Sequence, residues 1–172
     1  RYADLCEKLS QWTKAKGWRE QLSEGDKGKL QEYIVPFSAR VLDNHRSTIL
    51  AYGTEIEHLD SDTLHRLRIE CKKLRYATEF FAPLYGDQMK TFTGHLKNLQ
   101  DLLGALHDTA VMKGLQEDLL KKKKDKKLVS FTRKLERQRE KEAQKILKKL
   151  SNRWQAFAQT KRPWIAITDA AA

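Results

Sequence analysis

Apolar residues recur every three or four positions through most of the chain, which is the spacing of one face of an α-helix. The most regular run resembles a coiled-coil seam and comprises Met89, Phe92, Leu96, Leu99, Leu103, Leu106 and Ala110. A second run comprises Leu64, Leu67, Cys71, Leu74, Thr78 and Phe81. No useful length of chain alternates apolar and polar residues as a half-buried strand does. The pattern predicts an all-α fold.

Breaker and capping residues divide this pattern into four long helices and one short helix in front. We expect the short helix over about residues 2–16 and the long ones over about 29–58, 63–83, 87–120 and 128–159. Residues 23–28 are expected to form a polar loop, and the lysine-rich residues 121–127 a connector. Four amphipathic helices with short connections bury their apolar faces best as an antiparallel four-helix bundle.

Two helix details follow from single residues. Pro36 is tolerable within a first helical turn and otherwise marks a kink, whereas Pro83 and Gly86 are expected to close the helix over 63–83. The inward face of the helix over 29–58 is predicted to contain His45 as a packed core residue. The remaining members of that face are Ile34, Phe37, Val41, Thr48 and Tyr52.

The charge of the chain limits the classes of partner that we expect it to bind. Lys and Arg number 34 against 23 Asp and Glu, and residues 121–149 alone hold 14 basic and 4 acidic residues. Such asymmetry indicates an anionic partner, either a nucleic acid, an acidic membrane or another polyanion. The longest apolar runs are only a few residues, so no bilayer span is expected. Two cysteines 65 positions apart fit a reducing, cytoplasmic setting rather than a disulfide framework.

The helix over 63–83 carries a basic row. His65, Arg68, Lys72 and Arg75 fall within a sector of about 80° and span about 15 Å along the axis. Like charges at this spacing repel each other. A line of phosphates would offset that repulsion through charge-assisted hydrogen bonds. The alternative is a solvated face whose charge is relieved by acids of a neighbouring helix, such as Asp101 or Asp108.

Two sequence blocks resemble the CHAD domain, the conserved histidine α-helical domain. The first is His65-Arg66-Leu67-Arg68-Ile69 followed by Lys72-Lys73-Leu74-Arg75-Tyr76. The second is Leu96-Lys97-Asn98-Leu99-Gln100-Asp101 followed by Leu103-Gly104 and Asp108. The resemblance covers about residues 30–164, which is most of the chain.

The resemblance implies half of a two-repeat architecture. CHAD domains typically contain two copies of a helical unit related by a pseudo-twofold axis, and only one His-x-x-Arg block occurs here. We therefore expect residues 1–22 to be a remnant helix of a preceding repeat, 29–164 the CHAD-like bundle and 165–172 a tail. Either a first repeat is missing, or two copies of the chain pair as a homodimer.

The resemblance also implies binding of inorganic polyphosphate, without catalysis, in the cytoplasm or at polyphosphate granules. The family's basic residues map onto His65, Arg68, Lys72, Arg75 and Lys97, with Arg66 and Lys73 beside them. Arg40 is added because it flanks the inward face of its own helix. His107 receives little weight. We expect no cofactor and no metal site.

Two other functions stay open at this point. The basic residues also fit a nucleic-acid-binding helical protein, although the aromatic residues lie mainly on apolar faces rather than between charges. The chain could instead be an accessory domain of a triphosphate-hydrolysing enzyme. No glycine-rich phosphate loop, Ser–His–Asp spacing or paired carboxylates support catalysis by this chain itself. Trp154 and Trp164 are expected to pack at the end of the bundle.

Overall fold

The computed structural model describes residues 2–122 and 126–165, and these residues form helices and turns without a strand. The six α-helices are α1 (Tyr2–Lys14), α2 (Glu24–Lys29), α3 (Ile34–Leu50), α4 (Ser61–Tyr85), α5 (Asp87–Lys122) and α6 (Lys126–Gln159). Short 3-10 helices occupy Gly17–Arg19 and Ile56–His58. The all-α bundle predicted from the sequence is confirmed. Residues 123–125 of the predicted connector and 166–172 of the predicted tail lie outside the described residues.

The chain divides into two compact units, and the boundary lies between Phe37 and Ser38. In the first unit, α1 has no buried residue, and Trp12 lies so close to Gly17 that a Cβ there would stand 2.7 Å from its ring. The loop predicted for residues 23–28 is wrong. The side chain of Ser23 accepts a hydrogen bond from the amide of Asp26, and this N-cap starts the six-residue helix α2.

In the second unit, the apolar seams of α4 and α5 form the core. All six predicted seam residues of α4 are buried. The predicted α5 seam is buried from Met89 to Leu103, whereas Leu106 and Ala110 are only half-buried. The predicted packing of Trp154 and Trp164 is confirmed. Trp164 meets the ring of Phe92 at 4.9 Å between centroids and donates to Asp43 at 2.9 Å.

Helix α3 is shorter than predicted and turned about its axis. It ends at Leu50, because the chain turns at Gly53 with a φ of 93°, a conformation that favours glycine. The predicted inward face is wrong, since Ile34 and Thr48 are exposed. The buried residues are Ser38, Ala39, Leu42 and Ile49, and His45 is only half-buried.

Long-range hydrogen bonds explain the rotation of α3. The hydroxyl of Ser38 is hydrogen-bonded to that of Tyr85 at the end of α4, and Arg46 donates to the carbonyl of Ala158 at 2.7 Å. These bonds hold the face with Ser38, Leu42 and Ile49 against the bundle. That face is one residue out of phase with the predicted face. The first of these bonds places the start of α3 beside the end of α4.

Helix α4 continues two residues beyond the predicted end. Asp60 caps its start by accepting from the amide of Thr63 at 2.8 Å, and these hydrogen bonds lower the pKa of that carboxyl. Helix α3 begins at Ile34 rather than near residue 29, which places Pro36 within its first turn, whereas Pro83 lies inside α4. The helix extends to Tyr85 because that side chain is buried, and Gly86, with a φ of 60°, ends it.

The short turn at Gly86 makes α4 and α5 an antiparallel hairpin, and α6 packs antiparallel to α5. The ring of Phe92 near the start of α5 lies 5.6 Å from that of Phe157 near the end of α6. Helix direction therefore alternates from α4 to α6. In the part of the chain that the structure describes, no helix has the length and apolar character needed to cross a bilayer.

Candidate anion-binding surface on α4 and α5

The predicted basic row lies along one flank of α4, where its backbone is fixed by the buried seam. Lys72 is exposed, whereas His65, Arg68 and Arg75 are half-buried. These three side chains are half-buried because they lie between the core face and the outer face of the helix. The stems of the two arginines therefore pack on the protein while their charged ends remain near solvent.

Two contacts fix the register of α5 against this flank. Arg68 lies over Gly104, where its Nε stands 3.7 Å from the position a Cβ would take. Thr93 donates from its hydroxyl to that of Thr78 at 3.4 Å. Because the helices are antiparallel, Lys97 falls between these two levels, opposite Arg75 at the end of the α4 row. The structure thus brings Lys97 and the row onto one surface, here called the α4–α5 surface.

Arg75 is the row residue with the most contacts. Its guanidinium forms an ion pair with Glu79 at 2.5 Å, one turn further along α4. Its centre also lies 4.6 Å from the ring centroid of Tyr76, while Lys72 stands 5.7 Å from the same centroid. These cation–π contacts hold both charged groups next to the ring.

Three cations of the α4–α5 surface have no carboxylate partner within the described residues, namely Arg68, Lys72 and Lys97. The two acids considered as neutralising partners, Asp101 and Asp108, are exposed on α5 and make no ion pair with the row. Neutralisation from α5 is therefore absent from this part of the chain. The one row residue that is neutralised, Arg75, is paired within its own helix.

The remaining predicted residues are less available. Lys73 forms an ion pair with Glu70 at 2.8 Å, and Arg66 donates to the hydroxyl of Thr63 at 2.7 Å. Both lie further round α4, on its exposed side. Arg40 is exposed on α3 and is not part of the α4–α5 surface.

His107 is the site residue that sequence reasoning missed. Its ring stacks on that of His65, with 4.4 Å between centroids and 29° between planes. A signal for the pair was present, because His65 and His107 are each 21 positions from Gly86, the turn of the hairpin. The Nδ1 of His65 is buried and has no hydrogen-bond partner among the described residues. No cluster of three metal-ligating side chains occurs among the described residues.

Cys71 lies on the inner side of the same helix and is not part of this surface. Burial, with a smaller contribution from the charge of Glu70, raises the pKa of its thiol to about 12. The thiol is fully buried and stays protonated at neutral pH. It therefore serves as a small core residue rather than as a nucleophile.

A second basic surface lies further along α5 and α6. The register places the start of α4 opposite about residue 111 of α5, so residues 112–122 of α5 and 126–141 of α6 extend beyond it as one segment. We call this segment the distal arm. It holds a wide groove of about 980 Å³. The charged residues of the groove are Arg133, Lys134, Arg137 and Lys141, all exposed.

The comparison with protein families gives one match. The model of the CHAD domain matches residues 1–117. That range contains both sequence blocks and the whole α4–α5 surface. It starts earlier than the resemblance predicted and ends within α5, before α6. No curated protein and no solved structure matches the chain significantly.

Proposed function

Because the chain belongs to the CHAD-domain family, we propose that it is a non-catalytic module that binds inorganic polyphosphate through the α4–α5 surface. We expect it to act in the cytoplasm, at polyphosphate granules. The observation that carries this proposal is that Arg68, Lys72 and Lys97 lie on one packed surface and have no carboxylate partner within the described residues.

Unneutralised cations at this spacing support a linear polyanion as the ligand. Neighbouring like charges on a helix cost a few tenths of a kcal/mol per pair. A polymer that places a phosphate beside each cation replaces this repulsion with charge-assisted hydrogen bonds. Arginine can grip two phosphate oxygens at once, whereas lysine acts as a mobile point charge. The row and Lys97 supply both kinds of contact.

Polyphosphate also fits the kind of contact that the cations of this surface offer. The polymer repeats one charged unit and has no base edges to be read, so cations on a rigid support are sufficient. Arg68 and Arg75 are half-buried, and the guanidinium of Arg75 lies next to the ring of Tyr76. Preorganised side chains lose less conformational entropy on binding than free ones.

A second candidate, single-stranded nucleic acid, is favoured by one observation. Tyr76 and Phe80 are 51% and 76% exposed on α4, and aromatic rings beside cations can stack on bases. Tyr76 already has Arg75 and Lys72 near its ring, whereas no cation of the described residues is recorded near the ring of Phe80. Phe80 is therefore the residue on which this candidate depends.

A competition experiment distinguishes the two ligands. The protein is saturated with labelled single-stranded RNA at a salt concentration of about 150 mM, and long-chain polyphosphate is added at equal phosphate concentration. We expect polyphosphate to displace the RNA far more readily than RNA displaces labelled polyphosphate. If RNA displaced polyphosphate more readily, and Phe80→Ala lowered the affinity for RNA, the polyphosphate proposal would be refuted in favour of nucleic acid.

The same preparation tests the non-catalytic part. Phosphate release from tripolyphosphate in the presence of magnesium should equal that of a buffer blank. Release well above the blank, abolished in the variant Arg68→Ala with Arg75→Ala, would show that the surface acts as part of an enzyme.

A further inference from the structure

A cavity of about 250 Å³ lies between the first turns of α4, the middle of α5 and the middle of α6. Most of its wall is aliphatic, and the residues that form this part are Leu64, Leu103, Leu106, Ala110, Ala143 and Leu147. Leu64 and Leu103 are buried and connect this wall with the core, whereas the other four are half-buried. The cavity is larger than an engineered apolar cavity of about 150 Å³ that binds benzene.

Two alanines account for this space. Ala110 ends the α5 seam, whose six preceding members are all methionine, phenylalanine or leucine. The hydrogen bond between Gln116 and Arg139 fixes the local register of the antiparallel helices α5 and α6, and it places Ala143 at about the level of Ala110. Both alanines line the cavity. Two short side chains therefore stand at a level where the core needs larger ones to be filled.

Three polar groups of the lining residues are already bonded or out of reach. The hydroxyl of Thr109 donates to the carbonyl of Ala105 at 2.9 Å, and Arg139 donates to the amide oxygen of Gln116 at 2.9 Å. The Nδ1 of His65 is enclosed by protein atoms, so a molecule in the cavity does not reach it. A ligand therefore gains its binding free energy from hydrocarbon contact rather than from hydrogen bonds to these groups.

The charged residues of the lining balance each other. Lys113 and Arg139 are matched in number by Glu136 and Glu140. These four charges give neither an anion nor a cation an electrostatic advantage. An ion would also lose hydration on entering an aliphatic space, whereas an uncharged molecule has no such cost. The lining therefore favours an uncharged ligand.

We propose that this cavity binds a small uncharged molecule with a hydrocarbon body, of roughly ten non-hydrogen atoms by scaling from benzene. The hydrocarbon lies between Ala110 and Ala143 and packs against the leucines around them. The site does not use Arg68, Lys72 or Lys97, so it stands whether or not polyphosphate binds.

Butylbenzene is a suitable probe, with 3-phenylpropylammonium and 3-phenylpropionate as its cationic and anionic counterparts. Isothermal titration measures the affinities, and nuclear Overhauser effects from the ring protons of butylbenzene to the methyl groups of Ala110 and Ala143 report the location. We expect saturable binding of butylbenzene at least tenfold tighter than that of either ion, with both methyl groups in contact. No saturable binding of butylbenzene, or binding of either ion as tight as that of butylbenzene, would overturn the proposal.

Filling the cavity from either helix tests the assignment a second way. Ala110→Phe and Ala143→Phe each place a ring in the space, and we expect each to weaken butylbenzene binding at least tenfold. Ala105→Phe is the matched control, because Ala105 is also half-buried on α5 and is not among the residues that line the cavity. Circular dichroism checks that the variants remain helical. Unchanged butylbenzene affinity in a folded filling variant would contradict the assignment.

Thermal unfolding separates binding in the cavity from binding elsewhere. A ligand that binds only the folded state raises the unfolding temperature by mass action. Butylbenzene should therefore raise the unfolding temperature of the unmodified protein and of Ala105→Phe, but not that of Ala110→Phe. A rise of the same size in all three proteins would mean that butylbenzene binds outside the cavity, and the proposal would be wrong.

Discussion

The α4–α5 surface and the distal arm are both basic, yet they differ in how their cations are held. On α4, Arg68 and Arg75 are half-buried, Arg68 beside Gly104 and Arg75 next to the ring of Tyr76. On the distal arm, Arg133, Lys134, Arg137 and Lys141 are exposed along a wide groove. The arm has the higher local charge, whereas the α4–α5 surface has the more defined geometry.

This difference teaches that charge and binding geometry are separate properties. A free lysine or arginine loses up to about 2 kcal/mol of rotamer entropy when a ligand fixes it. Packing has already imposed part of that cost on Arg68 and Arg75 during folding. We therefore expect the arm to attract a polyanion at long range and the α4–α5 surface to hold it.

The largest expected effect comes from removing two arginines of each surface in turn. Arg68→Ala with Arg75→Ala should weaken polyphosphate binding about 100-fold, because hydrogen bonds to charged groups contribute about 1.5–3 kcal/mol each. Arg133→Ala with Arg137→Ala should weaken it only a few-fold, as exposed ion pairs do. Fluorescence anisotropy with labelled polyphosphate at near-physiological salt measures both. Equal losses would mean that charge alone determines affinity.

The next-largest effect is expected from Cys71, which is buried on the inner side of α4. The sequence of the distal arm contains no cysteine. Because the pKa of Cys71 is raised from 9.0 to about 12, the native thiol keeps its proton while the unfolded thiol loses it above pH 9. The unfolded state then binds fewer protons, so the free energy of unfolding falls as pH rises from 9 towards 12. The slope from this group is at most about 1.4 kcal/mol per pH unit.

Urea unfolding at pH 8 and pH 10 measures this slope. Cys71→Ala should lower stability at both pH values but show a flatter decline between them. Cys6→Ala, at an exposed position on α1, should decline like the unmodified protein. Identical declines for all three proteins would show that Cys71 ionises normally.

A smaller effect is expected at Gly104, under Arg68. A Cβ at this position makes an ordinary contact of 3.7 Å with Arg68, so Gly104→Ala should raise the free energy of unfolding by about 1 kcal/mol and leave polyphosphate affinity unchanged. Gly94→Ala, where nothing lies within 4 Å, is the control and should be similarly stabilised. Gly104→Leu should displace Arg68 and weaken binding. Unaltered affinity in that variant would separate Arg68 from the site.

The smallest effect is expected from freeing Arg75. Glu79→Gln removes the ion pair and should tighten polyphosphate binding two- to threefold, within the range of about 0.2–1 kcal/mol for exposed pairs. Glu117→Gln makes the same change of charge at an exposed position on the distal arm. If both variants bind equally tightly, the gain reflects net charge and not release of Arg75.

Much of the fold was predictable because its signals are local. The spacing of Leu64, Leu67 and Leu74 identified the buried side of α4, and Asp60 marked its start. The basic flank followed from the same helical geometry. The family blocks then indicated which cations to group, including Lys97 on the next helix.

Other features depended on partners that are distant in sequence. The buried face of α3 was predicted about one residue out of phase, because its rotation is fixed by Ser38 against Tyr85 and by Arg46 against Ala158. The position of His107 opposite His65 depended on the register of a hairpin that turns at Gly86.

The sequence by itself determined that this protein is helical, where most of its apolar faces lie and which flank of α4 is basic, because a regular helix converts residue spacing directly into direction. Only the tertiary structure decided which cations remain unpaired, which imidazoles meet and where a cavity is left between the helices. Those properties depend on how one helix is rotated and shifted against another, and that is set by contacts across the whole bundle.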